Sequence, residues 1–260
     1  MHNIENLLKE PAQILNPAQN KYLLANNNYQ EVSEYLEKQQ NIILPIGSTE
    51  QHGADGLLGV DHITATAIAY SLAQHKQILC APPLNYGMAM HHLDFKGTMA
   101  LKPITYINVI SDLIASLKDH GFKEIIVING HGGNKGPFLN ALAQNKNDFA
   151  DLDFKFFNWW VMPKLEKEII KKEFAEKEGY HATPTEISLT MFVCPEMMSV
   201  PKSYKCPQKE VGSENCSWVI PKKFKELYPD GVMRADYSLA TKDIGKKVLE
   251  FAVQEIAALI

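Results

Sequence analysis

The stretch EIIVINGHGGN, Glu124 to Asn134, joins a β-branched run to a glycine-rich turn centred on His131. Ile125, Ile126, Val127 and Ile128 show no apolar–polar alternation, the pattern of a strand buried on both faces. A helix predicted over 135–147 follows, so the stretch reads as strand, loop, helix. The same order recurs upstream. Asn41–Ile46 is a second apolar run, ending at Gly47-Ser48, and its loop 47–61 leads into an Ala-rich helix over His62–His75. Gln77–Leu84 reads as another buried strand, stopped at Pro82-Pro83. Ile104–Asp119 carries Ile107, Ile110, Leu113, Ile114 and Leu117 at helical spacing and stops at Gly121. Downstream, Phe154–Trp160 reads as a strand, Met162–Glu178 as a charged helix and Lys242–Ile260 as an amphipathic helix. The segment 195–235, with five prolines (Pro195, Pro201, Pro207, Pro221 and Pro229), is the least regular. Repeated strand–loop–helix order predicts an α/β fold whose parallel sheet is covered on both faces. Residues 1–28 read as a polar, loop-like N-terminal extension, and 29–260 as a single domain without internal repeat or linker.

The 260 residues suffice for a substantial core, and 45% apolar with 22% charged side chains is the composition of a globular chain. Twenty-six basic against 30 acidic side chains leave a net charge of −4, with no basic block to hold nucleic acid. The apolar runs fall short of the ~18 residues of a membrane span, and residues 1–30 lack the basic and apolar pattern of a secretory leader. Four cysteines (Cys80, Cys194, Cys206 and Cys216) show no CxxC spacing, so a reduced, cytoplasmic setting is expected.

In open α/β sheets, ligands collect where loops leave the carboxyl ends of strands. Two such loops carry metal-ligand residue types. Glu50 and His52, two apart, project to one side of an extended segment, and Asp61 closes the same loop. His131 sits among glycines that permit close backbone approach and positive φ. Together these form a mixed nitrogen and oxygen set suited to Zn²⁺, Mn²⁺ or Fe²⁺, with Asp61 the natural bridge between two ions. Taken singly, Asp61 also reads as a helix N-cap, Glu50 and His52 as a loop hydrogen-bond pair, and His131 as part of an anion-binding turn. Glu186 opens a later apolar helix, where the dipole alone favours a carboxylate, and His181 precedes it.

These segments, in this order from about residue 41 to 250, resemble the creatininase (creatinine amidohydrolase) family. The match rests on Leu44-Pro45-Ile46-Gly47-Ser48-Thr49-Glu50-Gln51-His52-Gly53 with Leu58-Gly59-Val60-Asp61, and on Asn129–Asn134. It is supported by Tyr86-Gly87 with His92, Phe95 and Gly97-Thr98, by His181-Ala182 with Glu186 and Ser188, and by Gly231-Val232-Met233 with Leu239-Ala240-Thr241 and Gly245. The resemblance implies a three-layer α/β/α sandwich, a homo-oligomer (usually a hexamer), and two divalent ions (Zn²⁺, Mn²⁺ or Fe²⁺) per subunit. The activated water would cleave the C–N bond of a small cyclic amide or formamide, not an ordinary peptide bond. By position, Glu50, Asp61 and His131 would hold one ion, and His52, Asp61 and a further carboxylate the other. In creatininase that carboxylate lies two residues past the motif histidine, where this chain has Gly133, so Glu186 is assigned the place and with it a catalytic role. His181 is the candidate proton carrier. Gly132 and Gly133 would supply oxyanion N–H groups, and Trp159, Trp160 and His92 would contact substrate.

Six positions depart from the family pattern, Asp55, His91, Lys96, Thr183, Ile187 and Tyr237, and are expected near the pocket. A lone arginine, Arg234, disfavours a highly phosphorylated substrate. A nucleotide-binding enzyme is disfavoured because neither GxxxxGK[ST] nor GxGxxG occurs. A non-catalytic metal-binding scaffold of the same fold is the alternative.

Overall fold

A computed structural model describes residues 8–198 and 216–260. Four strands, β1 (Asn41–Ile46), β2 (Leu79–Cys80), β3 (Glu124–Asn129) and β4 (Asp153–Asn158), form one parallel sheet in the order β2-β1-β3-β4. The β1–β3 register runs from Asn41 opposite Glu124 to Ile46 opposite Asn129. Side chains alternate across the sheet. Ile42, Leu44, Ile46, Ile125 and Val127 pack on one side, against α3 (Pro103–Asp119) and α4 (Lys135–Gln144), with α1 (Tyr29–Leu36) at the margin. Ile43, Ile126 and Ile128 pack on the other, against α2 (Val60–Lys76), α5 (Pro184–Val193) and α6 (Lys242–Ala257). The result is the three-layer α/β/α sandwich. Both faces are covered, which is why the strands read as continuous apolar runs.

Several boundaries differ from the sequence reading. The expected strand 77–84 contributes only Leu79 and Cys80 to the ladder, with Leu84 making one isolated bridge to Ile46. Pro82 and Pro83 lack the N–H groups a ladder needs. β4 ends at Asn158, so Trp159 and Trp160 stand on the 3₁₀ turn beyond it. The charged helix over 162–178 is a succession of short helical pieces with a reversal at Ala175, φ 47°. The polar N-terminal segment is not all loop: Pro11–Ile14 is helical, and Leu8, Ile14 and Leu23 are buried in the main core. Cys206, Pro201 and Pro207 lie outside the described residues.

Chain direction sets the site. β1 feeds α2 on one face, whereas β3 feeds α4 on the other. Their outgoing loops diverge, and a crevice opens between the carboxyl ends of neighbouring strands.

Candidate metal centre

The β1 loop brings Glu50 and His52 to that crevice, and the β3 loop brings His131. Asp61 enters from the first turn of α2. It is not the N-cap, which is Gly59. Gly130 permits the approach: a Cβ there would lie 2.1 Å from the Asp61 carbonyl oxygen, so any side chain would push α2 away from β3. Close approach is what Gly130 and Gly133 provide, whereas a Cβ on Gly132 would meet nothing within 4 Å. None of Gly130, Gly132 and Gly133 has positive φ, contrary to the sequence expectation. Asparagines fasten the loops together. Asn129 Oδ1 accepts the His131 N–H at 3.2 Å, and Asn134 Nδ2 donates to Gly47 O at 3.0 Å.

Glu50, His52, Asp61 and His131 are all buried. Asp61 lies between the two imidazoles, with Oδ1 3.0 Å from His52 Nε2 and Oδ2 3.1 Å from His131 Nδ1. Glu50 Oε2 is 3.2 Å from His131 Nδ1 and accepts from Ser48 Oγ at 2.9 Å. Glu186 completes the second side. Its helix begins with a capping box: Thr183 Oγ1 accepts the Glu186 N–H at 3.2 Å, and Glu186 Oε1 accepts the Thr183 N–H at 2.5 Å. One carboxylate oxygen is thereby spent on the helix. The other, Oε2, faces His52 Nε2 at 4.0 Å. Two triads therefore converge, Glu50/Asp61/His131 and His52/Asp61/Glu186, with Asp61 in both; the potential donor atoms of a third, Glu50/His52/His181, are equally close.

The outer hydrogen bonds orient these rings. His52 Nδ1 is 3.1 Å from Glu50 O, and His131 Nε2 is 3.2 Å from Met88 O. A carbonyl only accepts, so each ring donates outward and turns its other nitrogen to the carboxylates, the arrangement of metal-binding histidines. Glu50 Oε1 and Asp61 Oδ2 are buried and receive no aligned hydrogen bond, although His92 Nε2 at 3.3 Å and His131 Nδ1 at 3.1 Å pair with them electrostatically. Inward nitrogens and buried, unsatisfied carboxylate oxygens fit a divalent cation. Without an ion, protons fill the role. Burial opposes charge on His52, but Asp61 raises its pKa to about 9. Burial likewise opposes charge on His131, and Glu50 and Asp61 override it, holding the pKa well above the ordinary value. Burial alone would raise Glu50, yet His131 and His92 hold it well below the usual carboxylate range. Burial, with the Asp61 charge, pushes Glu186 up to about 7 despite His52.

His181 stands above this group, Nδ1 3.7 Å from Glu50 Oε1 and Nε2 2.8 Å from Gln51 O. Burial, then the His92 and His52 rings, keeps its pKa well below the ordinary value, so the ring is neutral. The next residue, Ala182, is fully buried at φ 56°, a strained conformation beside the site. A cavity of about 600 Å³ opens outward, walled by Met88, Met90, Trp159, Trp160, Tyr180 and Trp218. Gly132 and Gly133 line its base. Trp159 is 1% exposed and belongs largely to the core, with an indole N–H that meets no acceptor among the described residues. His92 borders the cavity, but both ring nitrogens are engaged, Nε2 with Glu50 and Nδ1 with Gln51. Of the six departures, His91 and Thr183 line the cavity, while Ile187 is buried in a separate cluster. Asp55 and Tyr237 meet each other, the Tyr237 hydroxyl donating to Asp55 Oδ2 at 3.3 Å. The sequence reading missed Glu178, a cavity carboxylate hidden in a charge-rich run. It also gave Gln51 no role, and only its place in the motif marked it.

A family model described as "Creatininase: Creatinine amidohydrolase" matches residues 25–260. Over 183 residues the chain is 30% identical to 3-dehydro-scyllo-inosose hydrolase of Thermotoga maritima, covering 65% of this chain and 55% of that protein, so it spans about half that relative's length. It is 25% identical over 232 residues to creatinine amidohydrolase of Pseudomonas putida, covering 84% of this chain and 88% of that one. A mycofactocin precursor peptide peptidase of Mycobacterium ulcerans is 30% identical over 120 residues, 43% of this chain and 48% of its own. A crystal structure of creatininase superposes with TM-score 0.80 at 23% identity, covering 92% of this chain and 96% of that one.

Proposed function

The chain belongs to the creatininase family, and from that premise we propose that it is a metal-dependent amidohydrolase opening a cyclic amide or formamide C–N bond in a small molecule. The observation that carries the reading is Asp61, whose two oxygens face two imidazoles held by outer carbonyls. Glu50, Asp61 and His131 would hold one divalent ion, and His52, Asp61 and Glu186 a second, Zn²⁺, Mn²⁺ or Fe²⁺. Solved creatininase structures described as "Zn-Zn type" and "Creatininase Mn" support that choice of metals. Bound there, such ions bring the pKa of water from about 15.7 toward about 7 and polarise a carbonyl.

The chain's own groups do the rest. His181, neutral with Nδ1 open, takes the proton of the attacking water and returns it to the departing nitrogen. The Gly132 and Gly133 N–H groups face the carbonyl oxygen as it gains charge. Trp160 and the Trp159 edge flank a flat ring. We place residues 29–260 in one working unit, with Leu8, Ile14 and Leu23 of the preceding segment packed into its core, in the cytoplasm, assembled as a homo-oligomer, a hexamer by family resemblance. Buried, unpaired Cys80 and Cys194 thiols support the reducing compartment. Among the described residues no helix is long and apolar enough to cross a membrane.

The test is a metal-reconstituted screen over cyclic ureas, lactams, formamides and short peptides. Turnover of a cyclic amide or formamide that chelator abolishes and Mn²⁺ or Zn²⁺ restores is the expected result. Turnover of peptides alone transfers the chain to the chemistry named for the peptidase relatives. Bound metal without turnover of any class leaves the non-catalytic scaffold.

A further inference from the structure

Gln51 lies beside the cage against His181, 4% exposed, and its hydrogens can be counted. Its Oε1 accepts the Gly53 N–H at 2.9 Å, which identifies the other terminal atom as the amide nitrogen. That nitrogen is 2.8 Å from Gly231 O, 2.9 Å from His92 Nδ1 and 3.0 Å from His181 Nε2. An amide nitrogen has two hydrogens for these three neighbours. Gly231 O only accepts, so it takes one. His181 Nε2 also lies 2.8 Å from the backbone oxygen of Gln51, which only accepts as well. His181 must therefore carry its hydrogen on Nε2 and has no lone pair there for the amide. The second amide hydrogen goes to His92 Nδ1.

The consequences reach the cage. With the Nδ1 lone pair taken by the amide, His92 carries its hydrogen on Nε2, 3.3 Å from Glu50 Oε1. His181, with hydrogen on Nε2, turns a bare Nδ1 toward Glu50 and the cavity. The placement is built in from the far side. Gly231 has φ 82°, and a Cβ there would lie 1.9 Å from Gln51 Oε1, so the carboxamide fits only against glycine.

We propose that Gln51 is a positioning residue that sets two ring tautomers at once: its carboxamide holds His92 as the Nε2–H form against Glu50, and its backbone carbonyl holds His181 as the Nε2–H form with Nδ1 open to substrate. Its effect on turnover rests on the hydrolase reading; the tautomers do not.

The experiment is a long-range ¹H–¹⁵N correlation spectrum of the Zn²⁺-loaded full chain labelled at histidine, with His92 assigned by its loss in His92→Asn. In the unaltered protein both rings show hydrogen on Nε2 and none on Nδ1; hydrogen on either Nδ1 overturns the proposal without any variant. Gln51→Glu keeps the shape but cannot donate, so His92 Nδ1 gains a hydrogen while His181 keeps its pattern. An unchanged His92, or a His181 that changes in step, overturns the proposal. Gln51→Met, which removes the donor without adding an acceptor, moves His92 Nδ1 to the shift of an unbonded lone pair, and an unmoved Nδ1 overturns it too. Where a substrate is turned over, kcat in Gln51→Glu falls about 10- to 100-fold with KM held. The expected tautomers in a protein that turns over nothing would sink the hydrolase reading and leave this one standing.

Discussion

Replacing Glu186 by glutamine separates the two tasks of one carboxylate. The carboxamide would retain an oxygen for the Thr183 N–H, now accepted by Glu186 Oε1 at 2.5 Å, so the cap of α5, worth roughly 1 kcal/mol, survives. What changes is the atom facing His52, where an NH₂ group without a lone pair replaces Oε2. Without ions, the change is stabilising at alkaline pH. Burial raises Glu186 from 4.5 to about 7, so ionising it opposes folding. The carboxyl's contribution is fully present below about pH 4.5 and lost as pH climbs through about 7. That gap converts, at about 1.36 kcal/mol per pH unit, to about 3 kcal/mol at most at pH 8. In chelator, Glu186→Gln should therefore be more stable than the unaltered chain at pH 8, by up to that amount in urea unfolding, and lose the advantage near pH 4.5. With Zn²⁺ or Mn²⁺ that advantage is largely cancelled, because one ion loses a ligand and its affinity falls about 100-fold, about 2.7 kcal/mol. Titration calorimetry reads that loss. Two ions bound with undiminished affinity, or a variant less stable than the parent in chelator at pH 8, would refute the reasoning.

Ion uptake at pH 7 should release protons, since His52, at about 9, and His131, held well above its ordinary value, are both charged in the ion-free chain and must be neutral to ligate. Affinity then rises with pH, and the calorimetric heat depends on the ionisation enthalpy of the buffer; identical heats in phosphate and Tris would contradict this. Gly133→Glu should fail to restore the ion lost in Glu186→Ala, because a Cβ at 133 would lie 2.4 Å from His131 Nε2 and 2.6 Å from Met88 O. Elemental analysis of the double variant decides, and recovered stoichiometry would show that the loop yields. His181→Ala should keep its ions and lose about 10²- to 10⁴-fold in kcat; full turnover removes its role as proton carrier.

The sandwich was legible because β1 and β3 are buried on both sides and bounded by glycine or asparagine, so their apolar runs carry little ambiguity. β2 was overread because apolar composition is shared by a strand and by the partly exposed, proline-interrupted segment after Cys80. In the site, Glu50, His52, Asp61 and His131 could be read from their loops, since loops at adjacent strand ends meet whatever the side chains. From its local sequence Glu186 read as a helix-start glutamate, and only the family resemblance assigned it to the cage. The split of its oxygens between the cap and the cage is a matter of geometry. His92 was assigned to substrate because its motif names the residue and not its partners. Gln51 and Gly231, 180 positions apart, are joined by a fit with no spacing signature.

The central claim is that Asp61 bridges two ions. The most direct test is an anomalous difference map from crystals grown with Mn²⁺. Two peaks flanking Asp61, one beside His131 and Glu50 and one beside His52 and Glu186, are the predicted result. A single peak away from Asp61, or no peak among these residues, would contradict it.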